Sequence, residues 1–191
     1  MDEKVMEPFV ARLRSIAYEI HQFPQPTIAA IDGVAVGGGL EMALACDLRV
    51  AASTAKLGLV ETRLAILPGA FGTQLLPRVV GPAVAKEMIF AAKVLSGQQA
   101  AAVGLVNELH EQNEEQNAAL LGSVALAKQI KANGPIALRA AKIAINDGVD
   151  ASLREGLEIE RAAYRKVIPT KDRLEGLKAF IEKRKPVYKG E

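Results

Sequence analysis

Three consecutive glycines, Gly37–Gly39, separate a short apolar run from a strong helix former. The preceding run, Thr27–Ile31, is nearly all apolar and is bounded by prolines and Gly33, which is typical of a buried strand. The following run, Leu40–Ala45, favours a helix. Glycine lets backbone N–H groups approach a ligand closely, and a helix start adds free N–H groups. An α/β chain with a turn able to stabilise an oxyanion is therefore one interpretation.

A simpler interpretation of the glycine run stays open at this point. The dinucleotide fingerprint G-x-G-x-x-G would need glycine three positions after Gly39, where Met42 stands, and the phosphate-loop sequence Gly-Lys-Ser/Thr is absent. Taken alone, a tight turn with Glu41 as a charge at a helix start also explains the pattern.

Apolar periodicity predicts mainly helices outside this region. An amphipathic helix is predicted over Val5–Phe23, where apolar residues recur every three or four positions. Further short strands are predicted at Asp47–Ala52 and Leu105–Leu109, and residues 57–60 are predicted to be extended. Helices are predicted near residues 73–79, 83–91, 96–104, 117–131, 135–146, 152–167 and 170–183.

The small number of predicted strands limits the architecture. Two or three parallel strands would leave sheet edges bare, whereas such strands normally have several neighbours. We therefore expect that N-terminal strands are missing from this form of the chain. The predicted domains are a partial α/β core over residues 1–110 and a helical region over residues 111–191.

Composition excludes several classes of protein. The 191 residues are half hydrophobic, which is enough for a sizeable core. A net charge of +2, 4% aromatic residues and the absence of Trp give little basis for nucleic-acid binding. One cysteine excludes an internal disulfide, the two histidines lack metal-ligand spacing, and no apolar run reaches the ~18–20 residues of a membrane span.

Several stretches together resemble the enoyl-CoA hydratase/isomerase (crotonase) family. Residues 28–47, IAAIDGVAVGGGLEMALACD, resemble the family signature. Residues 57–62, LGLVET, with residues 67–69 and 72–74, LPG and GTQ, resemble its second block. Parts of residues 170–184 resemble its C-terminal block. The matches follow in the right order over nearly the whole chain, so they are specific as a set.

This resemblance implies a crotonase spiral α/β core and the hydration of a 2-enoyl-CoA thioester in fatty acid or branched-chain (leucine) catabolism. Glu41 and Glu61 would hold a water molecule, one taking its proton and the other delivering a proton to C2. The N–H of Gly38 would be one of two donors to the thioester oxygen. The presence of both acids favours a hydratase over an isomerase. Without the resemblance, Glu61 would be interpreted as a surface residue.

The resemblance also implies partners for this site. Coenzyme A is part of the substrate, so neither a separate cofactor nor a metal is expected. Family members form trimers, often paired into hexamers, in which the last block reaches the CoA of a neighbouring subunit, so residues 111–191 would form an oligomerisation region. A mitochondrial location is expected from the family alone. The implied substrate-binding residues are Gly37, Gly39, Gly69, Phe180 and Lys183.

Two positions depart from the family pattern. Phe71 stands where glycine is usual, and Leu75 stands where arginine is usual. A ring at position 71, beside the predicted active-site turn, would narrow the acyl pocket or alter the loop. The acyl chain of the substrate is therefore not predicted.

The resemblance carries an expectation about activity and two alternatives. The family's second oxyanion donor and much of its CoA-binding surface lie on a segment before residue 1. One such donor is worth about 10²–10³ in rate, so we expect this chain alone to be a poor or inactive hydratase. One alternative is a catalytically silent form that joins intact subunits. The other is RNA binding, because the likeness is strong to the methylglutaconyl-CoA hydratase subgroup, which has a member that binds AU-rich RNA, and to a mitochondrial enoyl-CoA-hydratase-domain relative. It is a minor hypothesis, since the lysine-rich segment would lie upstream.

Overall fold

Short strands and longer helices alternate along residues 3–191, which the computed structural model describes. The strands are β1 (Ile28–Ile31), β2 (Val34–Val36), β3 (Leu48–Ala52), β4 (Lys56–Gly58), β5 (Val94–Ser96) and β6 (Glu108–His110). The helices are α1 (Glu3–His21), α2 (Gly38–Ala45), α3 (Gly72–Val80), α4 (Pro82–Phe90), α5 (Gly97–Ala102), α6 (Ala118–Lys131), α7 (Pro135–Gly148), α8 (Leu153–Val167) and α9 (Lys171–Ile181).

The strands pair into two separate sheets. One sheet has the order β1-β3-β6 and is parallel throughout. The other has the order β2-β4-β5, in which β2 and β4 are parallel and β4 and β5 are antiparallel. The central strand β3 has four buried residues out of five, as expected for a strand with neighbours on both sides.

The predicted number of strands was too low. The sequence predicted two or three strands, and the described residues contain six. The strands that were not predicted, β2 and β5, have three residues each, too few for a clear periodic pattern. The third predicted strand was shifted, because Leu105 and Val106 lie in the buried core before β6 begins at Glu108. The predicted helices were confirmed to within a few residues at most ends.

The helix α2 is buried and is fixed at its C-terminal end by an arginine. Leu40, Leu44 and Ala45 are at most 3% exposed, and Arg49 is 6% exposed. The guanidinium of Arg49 donates to the carbonyl oxygen of Cys46 at 3.0 Å, just past the helix end, and through Nε to the carbonyl oxygen of Leu105 at 2.8 Å. Burial lowers the pKa of Arg49. A cation beside the last carbonyls stabilises a helix end, so Arg49 holds α2 in place.

Two compact units divide the described chain. One contains the described residues up to Phe23 together with Thr27–Ala125, and the other contains Pro24–Pro26 and Leu126–Glu191. Both sheets belong to the first unit, and α7, α8 and α9 belong to the second. The predicted division into a catalytic core and an oligomerisation region stays a prediction. None of the described helices combines the length and apolar character needed to span a bilayer.

Acidic side chains fasten the C-terminal residues of the second unit to α9. The buried carboxylate of Asp172 accepts hydrogen bonds from the backbone N–H groups of residues 189–190, each at 2.8 Å. Glu175 accepts two bonds from the Arg184 guanidinium, at 2.6 and 2.8 Å, and one from the N–H of Val187 at 3.0 Å. These bonds hold the tail against the helix.

The C-terminal residues held by Glu175 should respond to its ionisation. The hydrogen bonds from Arg184 lower the pKa of Glu175 from 4.5 to about 2. Because the folded-state pKa is depressed, its stabilisation is present above the unfolded value of 4.5 and is lost as pH falls through about 2. We expect the amide NMR signal of Val187 to titrate with a midpoint near pH 2, and Arg184→Met to raise that midpoint. Glu160→Gln, on another helix, should leave the midpoint unchanged, and a midpoint near 4.5 in the unaltered protein would contradict this account.

Candidate active site

The parallel pairing of β2 with β4 brings two distant segments to one edge of a sheet. Val36 pairs with Gly58, and the N–H of Gly37 donates to the carbonyl oxygen of Gly58 at 2.9 Å. The chain leaves β2 into the glycine run and α2, which carries Glu41, and leaves β4 toward Glu61. Because both strands run in the same direction, these two exits lie side by side.

The glycine run forms the N-terminal turn of α2. Gly37 has φ 56° and ψ −129°, a conformation that favours glycine. A Cβ at this position would lie only 3.3 Å from Oε1 of Glu61, so the missing side chain also makes room for that carboxylate. Gly38 and Gly39 are exposed, and their N–H groups belong to the first helical turn, which has no carbonyl partner within the helix. They form a solvent-facing pair of donors at the positive end of a buried helix.

Two backbone N–H groups hold the carboxylate of Glu41. The side chain is 3% exposed, and its Oε1 accepts hydrogen bonds from the N–H groups of Ala70 and Gly72, each at 2.8 Å. The intervening Phe71 has φ 79°, a left-handed conformation that lets its two flanking N–H groups converge on one oxygen. The ring of Phe71 lies against Tyr18, with ring centroids 6.3 Å apart.

Glu61 lies in a different environment from Glu41. It begins a 3-10 helix, Glu61–Leu64, directly after β4. Burial raises its pKa, and the nearby charge of Glu41 raises it further. Its Oε2 is buried and has no hydrogen-bond partner among the described residues. A buried carboxylate oxygen without a partner is costly when it is ionised, which agrees with the raised pKa of Glu61.

The site combines three groups that proton-transfer chemistry on a carbonyl compound requires. It has a carboxylate fixed by two N–H donors, a second carboxyl group whose proton affinity is raised by its surroundings, and two exposed N–H groups at a helix start. An environment that raises the pKa of one carboxyl group of a pair suits that group to act as the acid and the other to act as the base. Exposed N–H groups at a helix start stabilise a developing oxyanion.

Most of the predicted site residues lie in this region. Gly37, Gly38 and Gly39 form the turn beside Glu61, and Gly69 directly precedes Ala70. Phe180 and Lys183 belong to the second unit, at the end of α9 and just after it, and Phe180 is 85% exposed. The roles predicted for all of these residues, and for the two glutamates, stay predictions.

Two contributing residues, Ala70 and Gly72, were not predicted. They act through backbone N–H groups, and their side chains carry no chemistry that a sequence pattern could reveal. A signal was nevertheless present: Gly72 follows a Pro-Gly turn and opens α3, and the start of a helix always offers free N–H groups. A Cβ on Gly72 would lie 2.8 Å from Oε1 of Glu41, which explains the need for glycine there.

Comparison with known proteins identifies a family for this arrangement. The family model described as enoyl-CoA hydratase/isomerase matches residues 7–191. The chain is 57% identical over 191 residues to the human protein named methylglutaconyl-CoA hydratase, mitochondrial. It is 56% identical over 191 residues to the bovine protein named enoyl-CoA hydratase domain-containing protein 2, mitochondrial. Both alignments cover the whole of this chain.

A solved structure shares the fold. The enoyl-CoA hydratase from Bacillus anthracis, solved at 1.8 Å, matches with a TM-score of 0.95 and 49% identity, covering 100% of this chain and 72% of that one. This match confirms the predicted crotonase fold. The chain spans 56% of the length of the human relative and 64% of the bovine one.

Proposed function

The chain belongs to the enoyl-CoA hydratase/isomerase family, and on that premise we propose that it adds water to 2-enoyl-CoA thioesters. The observation that supports this most directly is the pairing of Glu41, fixed by two N–H donors, with Glu61, whose pKa is raised by burial. A hydratase needs one group that takes a proton from water and another that gives a proton to C2. The two glutamates meet both needs.

The proposed reaction balances with these residues alone. Glu41, as the carboxylate, takes a proton from water while the water oxygen bonds to C3 of the substrate. The electron pair of the C2–C3 double bond moves toward the thioester carbonyl, whose oxygen gains negative charge beside the N–H of Gly38. Glu61, as the acid, delivers its proton to C2. The glutamates finish with exchanged protonation states, and proton exchange with solvent restores them.

The assignment of acid and base rests on the surroundings of the two groups. Burial and the charge of Glu41 raise the pKa of Glu61, so Glu61 keeps its proton to a higher pH than an ordinary glutamic acid. Glu41 is held through Oε1, which leaves its Oε2 for a water molecule. We therefore propose Glu61 as the proton donor to C2 and Glu41 as the base.

The substrate and its setting are proposed from the named relatives. One relative is called a methylglutaconyl-CoA hydratase and two are called mitochondrial. We propose a mitochondrial hydratase acting in leucine or fatty acid catabolism, with CoA entering only as part of the substrate. Exposed apolar side chains of the second unit support assembly into a trimer or hexamer, among them Leu153, Phe180 and Ile181, which are 79 to 85% exposed.

Product analysis of the purified chain tests this proposal. The chain is incubated with short, branched and long 2-enoyl-CoA thioesters, and 3-hydroxyacyl-CoA is measured by liquid chromatography and mass spectrometry over long times. The rate is scored against the Glu41→Gln/Glu61→Gln double variant of the same chain, so a slow reaction is still informative. Equal rates of 3-hydroxyacyl-CoA formation by the chain and by the double variant, alone and mixed with an intact family member, would contradict the proposal.

Two further measurements separate the alternatives. Co-purification with an intact subunit, without turnover that depends on Glu41 and Glu61, would favour a silent form that joins such subunits. RNA binding would appear in filter binding as an affinity that falls steeply with salt, because phosphate contacts release counterions.

Phe71 is expected to restrict the acyl chain. Its ring packs against Tyr18 beside the N–H groups that hold Glu41, and its left-handed backbone is one that glycine adopts without strain. We expect Phe71→Gly to keep these hydrogen bonds and to raise kcat/KM for longer acyl chains relative to a four-carbon chain by about tenfold, as one or two methylenes in a pocket contribute. Kinetics with a series of chain lengths measures this ratio. Phe90→Gly, at an exposed ring on α4, is the matched control, and an unchanged ratio in Phe71→Gly would contradict the role.

A further inference from the structure

The segment that carries Glu61 has little apolar packing of its own. Its 3-10 helix is four residues long, and residues 62–67 are all exposed. Leu64, Ile66 and Leu67 are 75%, 51% and 61% exposed, so no large side chain of the segment anchors it in the core. A short 3-10 helix has weaker hydrogen-bond geometry than an α-helix, so this segment needs another means of holding its position.

Two side chains next to Glu61 hold the 3-10 helix in position. The hydroxyl of Thr62 donates to the carbonyl oxygen of Ile89 at 2.7 Å. The guanidinium Nη2 of Arg63 donates to the carbonyl oxygen of Ala92 at 2.8 Å. The carbonyl of Ile89 lies in the last turn of α4 and also accepts the N–H of Ala92 at 3.2 Å. The carbonyl of Ala92 lies just past the end of α4, where a cation is favoured by the helix dipole.

The anchor point itself is rigid. Ala85 and Met88 of α4 are 2% and 1% exposed, and Ala92 just after it is 3% exposed, so the end of this helix is fixed by the core. Glu41 is held on its other side by the N–H groups of Ala70 and Gly72, which make no use of α4. The two carboxyl groups of the site are therefore positioned by different parts of the fold.

We propose that Thr62 and Arg63 are positioning residues, which hold Glu61 in the site by tethering its 3-10 helix to the end of α4. The inference rests on the proposed function, because it assigns the two residues a role in the reaction that Glu61 performs. Without the tether, the segment moves outward and takes the carboxyl group of Glu61 away from Gly37 and into solvent. A displacement of about 1 Å at a reacting group costs up to about 10² in rate.

The test compares conservative and non-conservative variants at both positions. Thr62→Val and Arg63→Met remove the donors at nearly constant shape, and the double variant removes both. We expect kcat to fall about tenfold in each single variant and about 10² in the double variant, with KM changed less than about threefold. Thr62→Ser and Arg63→Lys retain a donor and should recover most of the rate. Leu64→Gln, exposed on the same 3-10 helix, is the control that should keep the rate.

A second readout does not depend on turnover. Carbon-13 NMR of glutamate-labelled protein follows the ionisation of Glu61, assigned by its disappearance in Glu61→Gln. In the double variant we expect the titration midpoint to move down toward the ordinary value of 4.5, because the carboxyl group becomes solvated. Thr62→Ser/Arg63→Lys should keep the raised midpoint.

The outcomes separate this inference from the proposed function. If the chain shows no hydration that depends on Glu41 and Glu61, either alone or mixed with an intact family member, the proposed function fails, and the NMR titration still decides whether the tether holds Glu61. If the chain is active but the double variant keeps both its rate and its Glu61 midpoint, the tether is overturned and the proposed function stands. Loss of the whole fold in the double variant, seen as a lost thermal transition, would also overturn it, since it would assign the pair a general structural role.

Discussion

Replacing either Glu41 or Glu61 by Gln is expected to lower kcat for 2-enoyl-CoA hydration by about 10²–10⁴, the usual worth of a general acid or base. Gln keeps the shape of Glu, and its carbonyl oxygen can still accept the bonds that Ala70 and Gly72 donate. The fold should therefore survive, as circular dichroism and thermal melting would show. Glu115→Gln, at an exposed glutamate of the same unit, should keep the rate.

The pH dependence of the two variants should differ. Burial raises the pKa of Glu61, so the proton needed at C2 is present at low pH and is lost as pH rises through that raised pKa. The unaltered protein should therefore lose kcat/KM on the alkaline side, and the residual activity of Glu61→Gln should lack this fall. In Glu41→Gln the alkaline fall should remain. The opposite pattern would reverse the assignment of acid and base, and full activity in both variants would remove the carboxyl pair from the mechanism.

Gly97→Ala is expected to produce the largest loss of stability. A Cβ at this position would overlap the carbonyl oxygen of Ala52 and would lie 3.1 Å from its carbonyl carbon, and both residues are buried. Backbone atoms of a central strand cannot move aside as a flexible side chain can. We expect a loss of about 3 kcal/mol in the free energy of unfolding, at the upper end for overpacking. For a chain of this size that lowers Tm by about 6–12 °C.

The matched control for Gly97→Ala is Gly33→Ala. Gly33 is exposed, and a Cβ there would meet no atom within 4 Å. Its free energy of unfolding should change by no more than about 0.5 kcal/mol. Scanning calorimetry of both variants gives the comparison. Melting of the two variants within about 2 °C of each other would show that α5 relaxes away from β3 at little cost.

The fold was predictable where the signal was local. The helix α1, the N-cap of α5 at Ser96 and the capping box that opens α8 at Ser152 could be predicted from short patterns, and the structure contains all three. The strand Val34–Val36 could not, because three residues carry almost no periodicity and their extended form depends on pairing with β4, about twenty residues away. Non-local pairing of this kind leaves no trace in the neighbouring sequence.

The candidate active site was also predictable only in part. The residues alone indicated a glycine turn near a carboxylate, whereas Glu61 was indicated only by the family resemblance, because a single glutamate after a strand is ordinary on a protein surface. The N–H groups of Ala70 and Gly72 and the left-handed backbone at Phe71 were beyond sequence analysis. They depend on the path of a turn, and a phenylalanine gives no sequence signal for a left-handed conformation that glycine normally adopts.

The register of β2 against β4 has a consequence for how this site can vary. Glu41 lies five residues beyond Val36, and Glu61 lies three residues beyond its partner Gly58. These two short counts bring both glutamates to the same end of the sheet, whereas their spacing of twenty positions along the chain does not. Length changes between Ala52 and Lys56, in the connection from β3 to β4, would leave the two counts intact. One residue added between Gly58 and Glu61 would change the second count and displace Glu61 from its place beside Gly37.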